Sequence, residues 1–558
     1  MTQNLDLADI QGNIVRAYGK NGFPVARYFF LHFERRGADA NRQFVEAVRH
    51  KVTSATRWDK TKATGEPGGK PLVTLNIGFS FTGLWMLDLP TRTLQALPPE
   101  FIDGMMRRPH ILGDCDTSKT LSEQPDWNRH WDKIWRDNVQ FSGKEVHMWI
   151  SMNAAVLPGS DQPVAELEAQ TEWLRGVCAS LKGQVSILKT NGQSGSDEYQ
   201  AASAVFETVT IDGQTMKIPT PNEHFGFADG IGDPVFEGQL PPADEKKRVG
   251  GRGKWMSPEK EWEPLATGEF VLGHPDESQE TPPAARPDEF TRNGSFMVYR
   301  KLHQNVGSFR AYFDAEAEKF ADVMGIKKAE AEVTLKAKAV GRWPDGVPLS
   351  KADTHEAWLA VRRERGLDSG DDETRLAAMQ AYRASPDIVA FKYGDDIKGY
   401  KCPAGAHLRR VNTRDYLDPA NHPDSDNPVA TTQLNKRRRI LRRGLPYGEP
   451  TADAGSDETE QGIAFMVICA NIFRQFEFVQ QQWIQYGLDF NQGNNTCPLL
   501  GNHGLHKRHA IPSDPASGKP GYVCDNLPQF VETRGGEYFF LPSLTALRMM
   551  AMGIVDPT

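Results

Sequence analysis

The sequence predicts an α+β protein in which a ferredoxin-like β-α-β-β-α-β unit is followed by a second, decorated α+β unit. Three observations lead there. Apolar, aromatic-rich runs of strand length recur along the chain, segments with helical spacing of apolar residues separate them, and their order in the first half is the ferredoxin-like one.

Val25 to Phe33 (VARYFFLHF) reads as the first strand, and Asn41 to Val52 as a helix with Phe44, Val45 and Val48 on one face. Leu72 to Phe81 is the second strand, followed by a short helix from Thr82 to Leu87, and Val146 to Met152 is the third. Pro163 is expected to open the next helix, which carries Val164, Leu167, Leu174, Val177 and Leu181, since proline is tolerated in a first turn. Val185 to Leu188 closes the unit as its fourth strand.

The second half repeats the theme less regularly. Ser295 to Leu302 is strand-like, and Val306 to Met324 places Phe309, Phe313, Phe320 and Met324 on one side of a helix. Ile463 to Ile472 reads as a buried strand, Phe473 to Ile484 as an amphipathic helix, and Tyr538 to Leu541 as a final strand. One strand of this unit finds no match. The expected division is residues 1–225 and 226–558, the latter with insertions near 239–293 and 327–393. Segments of that length between elements signal function or disorder.

Lys and Arg total 65 against 73 Asp and Glu, a formal charge of −8, which argues against a nucleic-acid binder. The six cysteines lie far apart without a CxxC pair and read as reduced thiols. No apolar run reaches the ~20 residues of a membrane span. No basic-apolar leader or twin arginine stands near Met1, so a cytoplasmic location is expected. Walker A, Gly-x-Ser-x-Gly and HExxH signatures are missing, which removes the common NTPase and hydrolase classes.

Three segments can carry chemistry. In HFGFADGIGDP (His224 to Pro234), Asp229 stands among Gly226, Gly230 and Gly232. It reads either as a positioned general base or as an Asx-type turn residue, and a carboxylate dyad with Asp233 is a third reading. In KCPAGAHLRRVNTRD (Lys401 to Asp415), His407 is a lone imidazole with Arg409 and Arg410 beside it. It is either an axial iron ligand, with those cations meeting propionates, or a histidine satisfied by one hydrogen bond. In NKRRRILRRGLPYG (Asn435 to Gly448), Lys436, Arg437, Arg438, Arg439, Arg442 and Arg443 form a basic run broken by Ile440 and Leu441. Such a run is a solvated face, or a face that turns one arginine inward. His503, His506 and His509 form an HxxHxxH array, but Gly501, Gly504, Lys507 and Arg508 make a helical cation site there unfavourable.

Taken together these segments resemble the dye-decolourising peroxidase family in its longer form. Gly226-Phe227-Ala228-Asp229-Gly230 resembles the family's GxxDG motif, CPAGAHLRRVNTRD its proximal-histidine segment, and ILRRGLPYG its distal-arginine segment. QGIAFMVICANI (Gln461 to Ile472) resembles the strand beside the distal pocket, and DIQGNIVRAYG and LNIGFSFTGLWML resemble the N-terminal half. The resemblance implies two ferredoxin-like domains with antiparallel sheets, and one haem b per chain in the C-terminal domain. It implies His407 as the iron ligand, Asp229 and Arg442 as the catalytic pair, and Gly230, Ile231, Arg442, Ile463 and Phe465 around the haem. The implied reaction reduces hydrogen peroxide and oxidises small organic donors such as dyes and phenolics by single electrons, without a nucleic-acid or membrane partner. The alternative is a haem-binding or haem-storage protein with little turnover. An aspartate base stays ionised in mild acid, so an acidic optimum is expected.

The chain departs from the family pattern twice. Asn412-Thr413-Arg414 stands where Asn-Pro-Arg is common. In NNTCPLLGNH, Cys497 occupies the place of the acid that supports the proximal imidazole, with Asp489 as the other residue available for that role.

Overall fold

The computed structural model describes residues 5–116, 118–190, 198–256, 259–281, 284–418, 420, 431–449, 456–502 and 507–555. Its centre is one mixed-length sheet to which both halves of the chain contribute. In the first half, β1 (Val25–Phe33), α1 (Ala38–Arg49), β2 (Val73–Phe79), β3 (Met148–Ala154), α2 (Glu166–Ser180) and β4 (Val185–Ile187) follow in turn. They pair antiparallel in the order β4-β1-β3-β2, the arrangement expected of a ferredoxin-like unit. Every residue of β2 and β3 is buried, which explains why their sequences are nearly continuous apolar runs rather than alternating ones.

The second half repeats this order with β5 (Ser295–Gln304), α3 (Val306–Met324), α4 (Lys328–Val340), β6 (Leu441–Arg442), β7 (Leu445–Tyr447), β8 (Gly462–Cys469) and β9 (Val531–Leu541). Its strands run β9-β5-β8-β6, with β7 also paired to β8. The strand that the sequence left unplaced is therefore β6 and β7, a broken edge strand in the basic run itself. The two units meet where Phe540 of β9 pairs with Phe79 of β2, so the sheet is continuous across the molecule.

Several expected boundaries move. Pro163 does not open a helix: it forms a bridge with Val156, Val164 N–H donates to Ala155 O, and α2 begins only at Glu166. The predicted helix from Phe473 is present as Phe473–Glu477 and Val479–Gln485, hydrogen-bonded in the wider i→i+5 pattern. The insertion near 327–393 holds α4 and two more helices, His355–Arg365 and Asp372–Ala384. The six cysteines are unpaired and buried. Among the described residues no helix is long and apolar enough to cross a membrane.

Two apolar cores follow from this layout. The larger fills both sides of the shared sheet, from Ile10 and Phe30 to Phe296, Ile468 and Phe540. The smaller belongs to the second half alone and gathers Phe227, Phe309, Trp343, Val389, Trp483, Phe490 and Phe530 around α3 and α4. The Asp229 and His407 segments border this second core, while the basic run packs Ile440, Leu441 and Leu445 against the larger one.

Candidate active site

Asp229 is placed by backbone. Gly226, Gly230 and Gly232 adopt φ of +90°, +71° and +83°, a region that side chains other than glycine resist, so the chain can fold back on both sides of the carboxylate. Asp229 N–H donates to Pro221 O at 2.8 Å and Ala228 N–H to Pro344 O at 2.9 Å. Glu223 closes the loop from below, its carboxylate accepting from Phe225 N–H at 2.8 Å and Phe227 N–H at 2.9 Å. Burial pushes the Glu223 carboxyl up to about 7, against the hydrogen bonds that favour its charged form.

Strand β6 brings Arg442 to this loop. Its Nη1 donates to Asp229 Oδ1 at 2.6 Å and its Nη2 to Ile231 O at 3.0 Å. Burial alone would raise the Asp229 carboxyl, but Arg442 outweighs it, and with the Gly230 N–H and Lys20 holds the group below its ordinary 3.8 despite Asp233 nearby. The Asp229 side chain is 47% exposed and that of Arg442 30%, so the ion pair faces open space rather than core. The dyad reading fails: Asp233 turns to Lys20 at 3.3 Å and Arg443 at 3.3 Å, and these cations, with Arg442, override burial and hold its carboxyl down at about 2.

His407 opens a short helix, His407–Val411. Its Nδ1 contacts Cys497 Sγ at 3.3 Å, and Nε2 has no partner among the described residues. Of the two residues available to support this ring, the structure selects Cys497, since Asp489 instead accepts from Trp483 Nε1 at 3.2 Å. Burial would raise the Cys497 thiol, but His407, the Leu500 N–H and Arg410 bring it down to about 6.

Arg409 and Arg410 are not free to meet propionates, contrary to expectation. Both are fully buried; Arg409 binds Asp396 at 3.0 Å and Cys402 O at 2.6 Å, and Arg410 binds the carbonyls of Trp483, Tyr486 and Asn495. They fix the His407 helix to its surroundings, because a helix of five residues has too little internal bonding to hold itself.

The basic run is not a solvated face either. Arg437 pairs with Asp276 at 3.0 Å, Arg438 donates to Arg474 O at 2.7 Å, Arg439 to Gly232 O at 3.1 Å, and Arg443 to Ile14 O at 2.7 Å. Arg439, with Arg414, Arg442 and Arg252 around it, is the most frustrated of these. Burial and then Arg414 lower its guanidinium to about 9, and Arg342 falls to about 9 for the same two reasons. Sequence reasoning missed Arg439, Arg414 and Lys20 as parts of the site, since a charge in a run or a loop carries no periodicity.

One segment connects the walls. At Gly341 an added Cβ would meet Leu408 Cβ at 2.7 Å, and at Gly346 it would meet Ile231 Cδ1 at 2.5 Å. The six residues from Gly341 to Gly346 thus touch the His407 helix at one end and the Asp229 loop at the other. Ile463 and Phe465 of β8 are half-buried while Ala464 and Met466 between and beyond them are buried, so the former two share the open face of that strand. Ile231 is likewise half-buried. Of the HxxHxxH array, His503 and His506 lie outside the described residues; His509 sits on a strand, buried, with Nε2 at 3.2 Å from Lys338 O.

Comparison with known proteins places this arrangement in context. A family model described as the DyP dimeric alpha+beta barrel domain matches residues 9–185. Peroxidase 2 of Mycetinis scorodonius is 25% identical over 562 residues, covering 98% of this chain and 87% of its own. The multifunctional dye peroxidase DyP2 of Amycolatopsis is 28% identical over 428 residues, 73% of each chain. Among solved structures, a fungal DyP-type peroxidase from Auricularia auricula-judae shares the fold with a TM-score of 0.65 at 21% identity, covering 98% of this chain and all of its own. A DyP-type peroxidase of Anabaena does so with a TM-score of 0.64 at 20% identity, covering 98% and 94%. Residues 9–185 thus match the DyP dimeric alpha+beta barrel domain, nearly the whole chain is similar to curated dye-decolourising peroxidases, and its fold is the one their structures share.

Proposed function

We propose that this chain binds one haem b through His407 Nε2, reduces hydrogen peroxide, and oxidises dyes and phenolic donors by single-electron steps. The observation that carries the reading is the partly exposed Asp229–Arg442 pair at 2.6 Å, joined through Gly341 to Gly346 to the helix of His407, whose Nε2 has no partner among the described residues. The chain's residues suit such a group. The open Nε2 supplies the single neutral ligand that iron in a peroxidase takes. Arg439, buried beside Arg414, Arg442 and Arg252, and Arg414, which burial lowers, would be relieved by the two propionates of a haem.

When bound, the haem supplies the iron at which peroxide is activated and the ring that holds oxidising equivalents. The protein supplies the rest. Asp229, ionised because Arg442 stands beside it, takes the proton from one peroxide oxygen and returns it to the other, which leaves as water. Arg442 meets the negative charge that develops between those oxygens. Gly230 and Ile231 carry the loop past the pocket, and Ile463 and Phe465 give it an apolar side that excludes water. Cys497 holds the far nitrogen of His407 and so fixes the orientation of the ring. All of these residues lie in the second of two units, 1–225 and 226–558, while Lys20 reaches across from the first to Asp233.

A dye-decolorizing peroxidase 23% identical to this chain has been solved with 2,6-dimethoxyphenol, which makes that phenol a suitable donor. The test is a haem titration followed by peroxide-dependent oxidation of 2,6-dimethoxyphenol. Saturation at one haem per chain with turnover supports the proposal; saturation without turnover indicates haem storage instead.

A further inference from the structure

The first unit contains a second set of ligand-capable side chains that the peroxidase chemistry does not use. β1 and β3 pair with Leu31 opposite Met148, which sets His32 of β1 beside Glu145 and His147 on the segment entering β3. One ligand-capable atom of each lies within 4.8 Å of those of the other two. The three residues are 7%, 1% and 0% exposed, and the two imidazole rings stand 4.6 Å apart.

The hydrogen bonds fix where the protons are. His32 Nδ1 lies 2.9 Å from Glu145 O, and a carbonyl only accepts, so Nδ1 carries a hydrogen and Nε2 is the nitrogen left to bind a metal. A backbone carbonyl on the far nitrogen is the usual support of a ligating histidine. Phe33 N–H donates to His147 Nδ1 at 2.8 Å, so the hydrogen of that ring is on Nε2. Both Glu145 carboxylate oxygens and His147 Nε2 have no hydrogen-bond partner, and Glu145 makes no ion pair among the described residues. A buried carboxylate in that condition is costly, and a neutral His147 offers it no charge. Glu145 also lines a cavity of about 130 Å³ together with Ser80, Thr82 and Asn138, large enough for several waters.

We propose that this cluster is a site for a divalent transition-metal ion of the zinc type. His32 Nε2 and one Glu145 oxygen are the direct protein ligands, waters in the cavity complete the coordination, and His147 Nε2–H donates to the second Glu145 oxygen. An imidazole and a carboxylate together suit Zn²⁺ and its neighbours better than Ca²⁺ or Mg²⁺, which take oxygen alone. The ion neutralises the stranded carboxylate and pins the end of β1 to the entry of β3. This inference is independent of the peroxidase reading, because none of its residues belongs to the site around His407.

The test uses the full-length, haem-loaded chain, stripped with a chelator and titrated with Zn²⁺ against a chromophoric zinc chelator. One Zn²⁺ per chain is expected, with affinity falling on the order of 10- to 100-fold in Glu145→Gln and in His32→Gln. His50→Ala, which removes an exposed histidine bonded to Glu46, should leave the affinity unchanged. Stoichiometric binding that survives Glu145→Gln overturns the proposal. Should the variants fail to fold, wild-type crystals soaked in Zn²⁺ and measured at the zinc edge decide: an anomalous peak between His32 and Glu145 supports the site, and none there overturns it.

Discussion

Replacing Asp229 by Asn removes one charge and one proton acceptor while leaving almost everything else in place. Asn keeps an Oδ1 for Arg442 Nη1, now 2.6 Å from the aspartate oxygen, and it keeps the volume that the glycine-bounded loop encloses. It lacks the ability to take a proton from peroxide. General-base catalysis contributes roughly 10²- to 10⁴-fold, or about 3–5 kcal/mol of barrier. The rate at which haem-loaded enzyme reacts with stoichiometric peroxide, followed by stopped-flow in the Soret band, should fall by that factor. Haem content should stay unchanged, since His407 is untouched. The pH profile gives the sign independently. Because Arg442 holds the Asp229 carboxyl below 3.8, the wild-type rate should persist from pH 7 to about 4 and decline only below the ordinary carboxylate range. The Asn variant should lack that decline. A variant within about threefold of wild type across this range would refute the assignment of the base, because positioning and charge stabilisation alone would then account for the rate.

Three further outcomes follow from the same geometry. Asp233, held at about 2 by Lys20, Arg443 and Arg442, contributes stability that is present above pH 3.8 and lost as pH falls through 2; Asp233→Asn should cost about 2 kcal/mol at pH 6 in urea unfolding, with the difference shrinking in acid. Cys497→Ala leaves His407 Nδ1 unsupported and should raise the rate of haem transfer to an acceptor apoprotein about 10- to 100-fold, while an unchanged rate would mean that the sulfur contact plays no part in holding the ring. Arg409→Ala strands the buried Asp396 carboxylate and should destabilise the protein by about 3–5 kcal/mol, read as a lowered thermal midpoint.

How far the sequence disclosed this molecule depends on what kind of signal each part leaves. β1, β2 and β3 are long and apolar, and α1 shows its buried Phe44, Val45 and Val48 at helical spacing, so the first unit was legible down to its topology. Helix starts were less legible: Pro163 suits a first turn, but the bridge to Val156 captures it before α2 begins. The missing strand of the second unit escaped because it is broken into Leu441–Arg442 and Leu445–Tyr447 around Gly444, too short for any alternation to register. Arg442 is singled out by its motif alone, and its neighbours in the same run are not the solvated face that a basic run suggests. Their partners, Asp276, Gly232 and Ile14, are separated from them by more than 150 residues and are supplied only by the fold. The same holds for Lys20, whose contact with Asp233 joins the two units. Cys497 is the converse case: its departure from the family pattern was visible, and the structure adds that it still reaches His407.

The central claim is that His407 Nε2 is the iron ligand, and a haem titration of wild type and His407→Ala, read by absorption, tests it most directly. Wild type should saturate at one haem with a Soret spectrum of histidine-ligated ferric iron. In the variant that spectrum should disappear and return when imidazole is added. A His407→Ala protein that binds haem with the wild-type spectrum, unchanged by imidazole, would contradict the account.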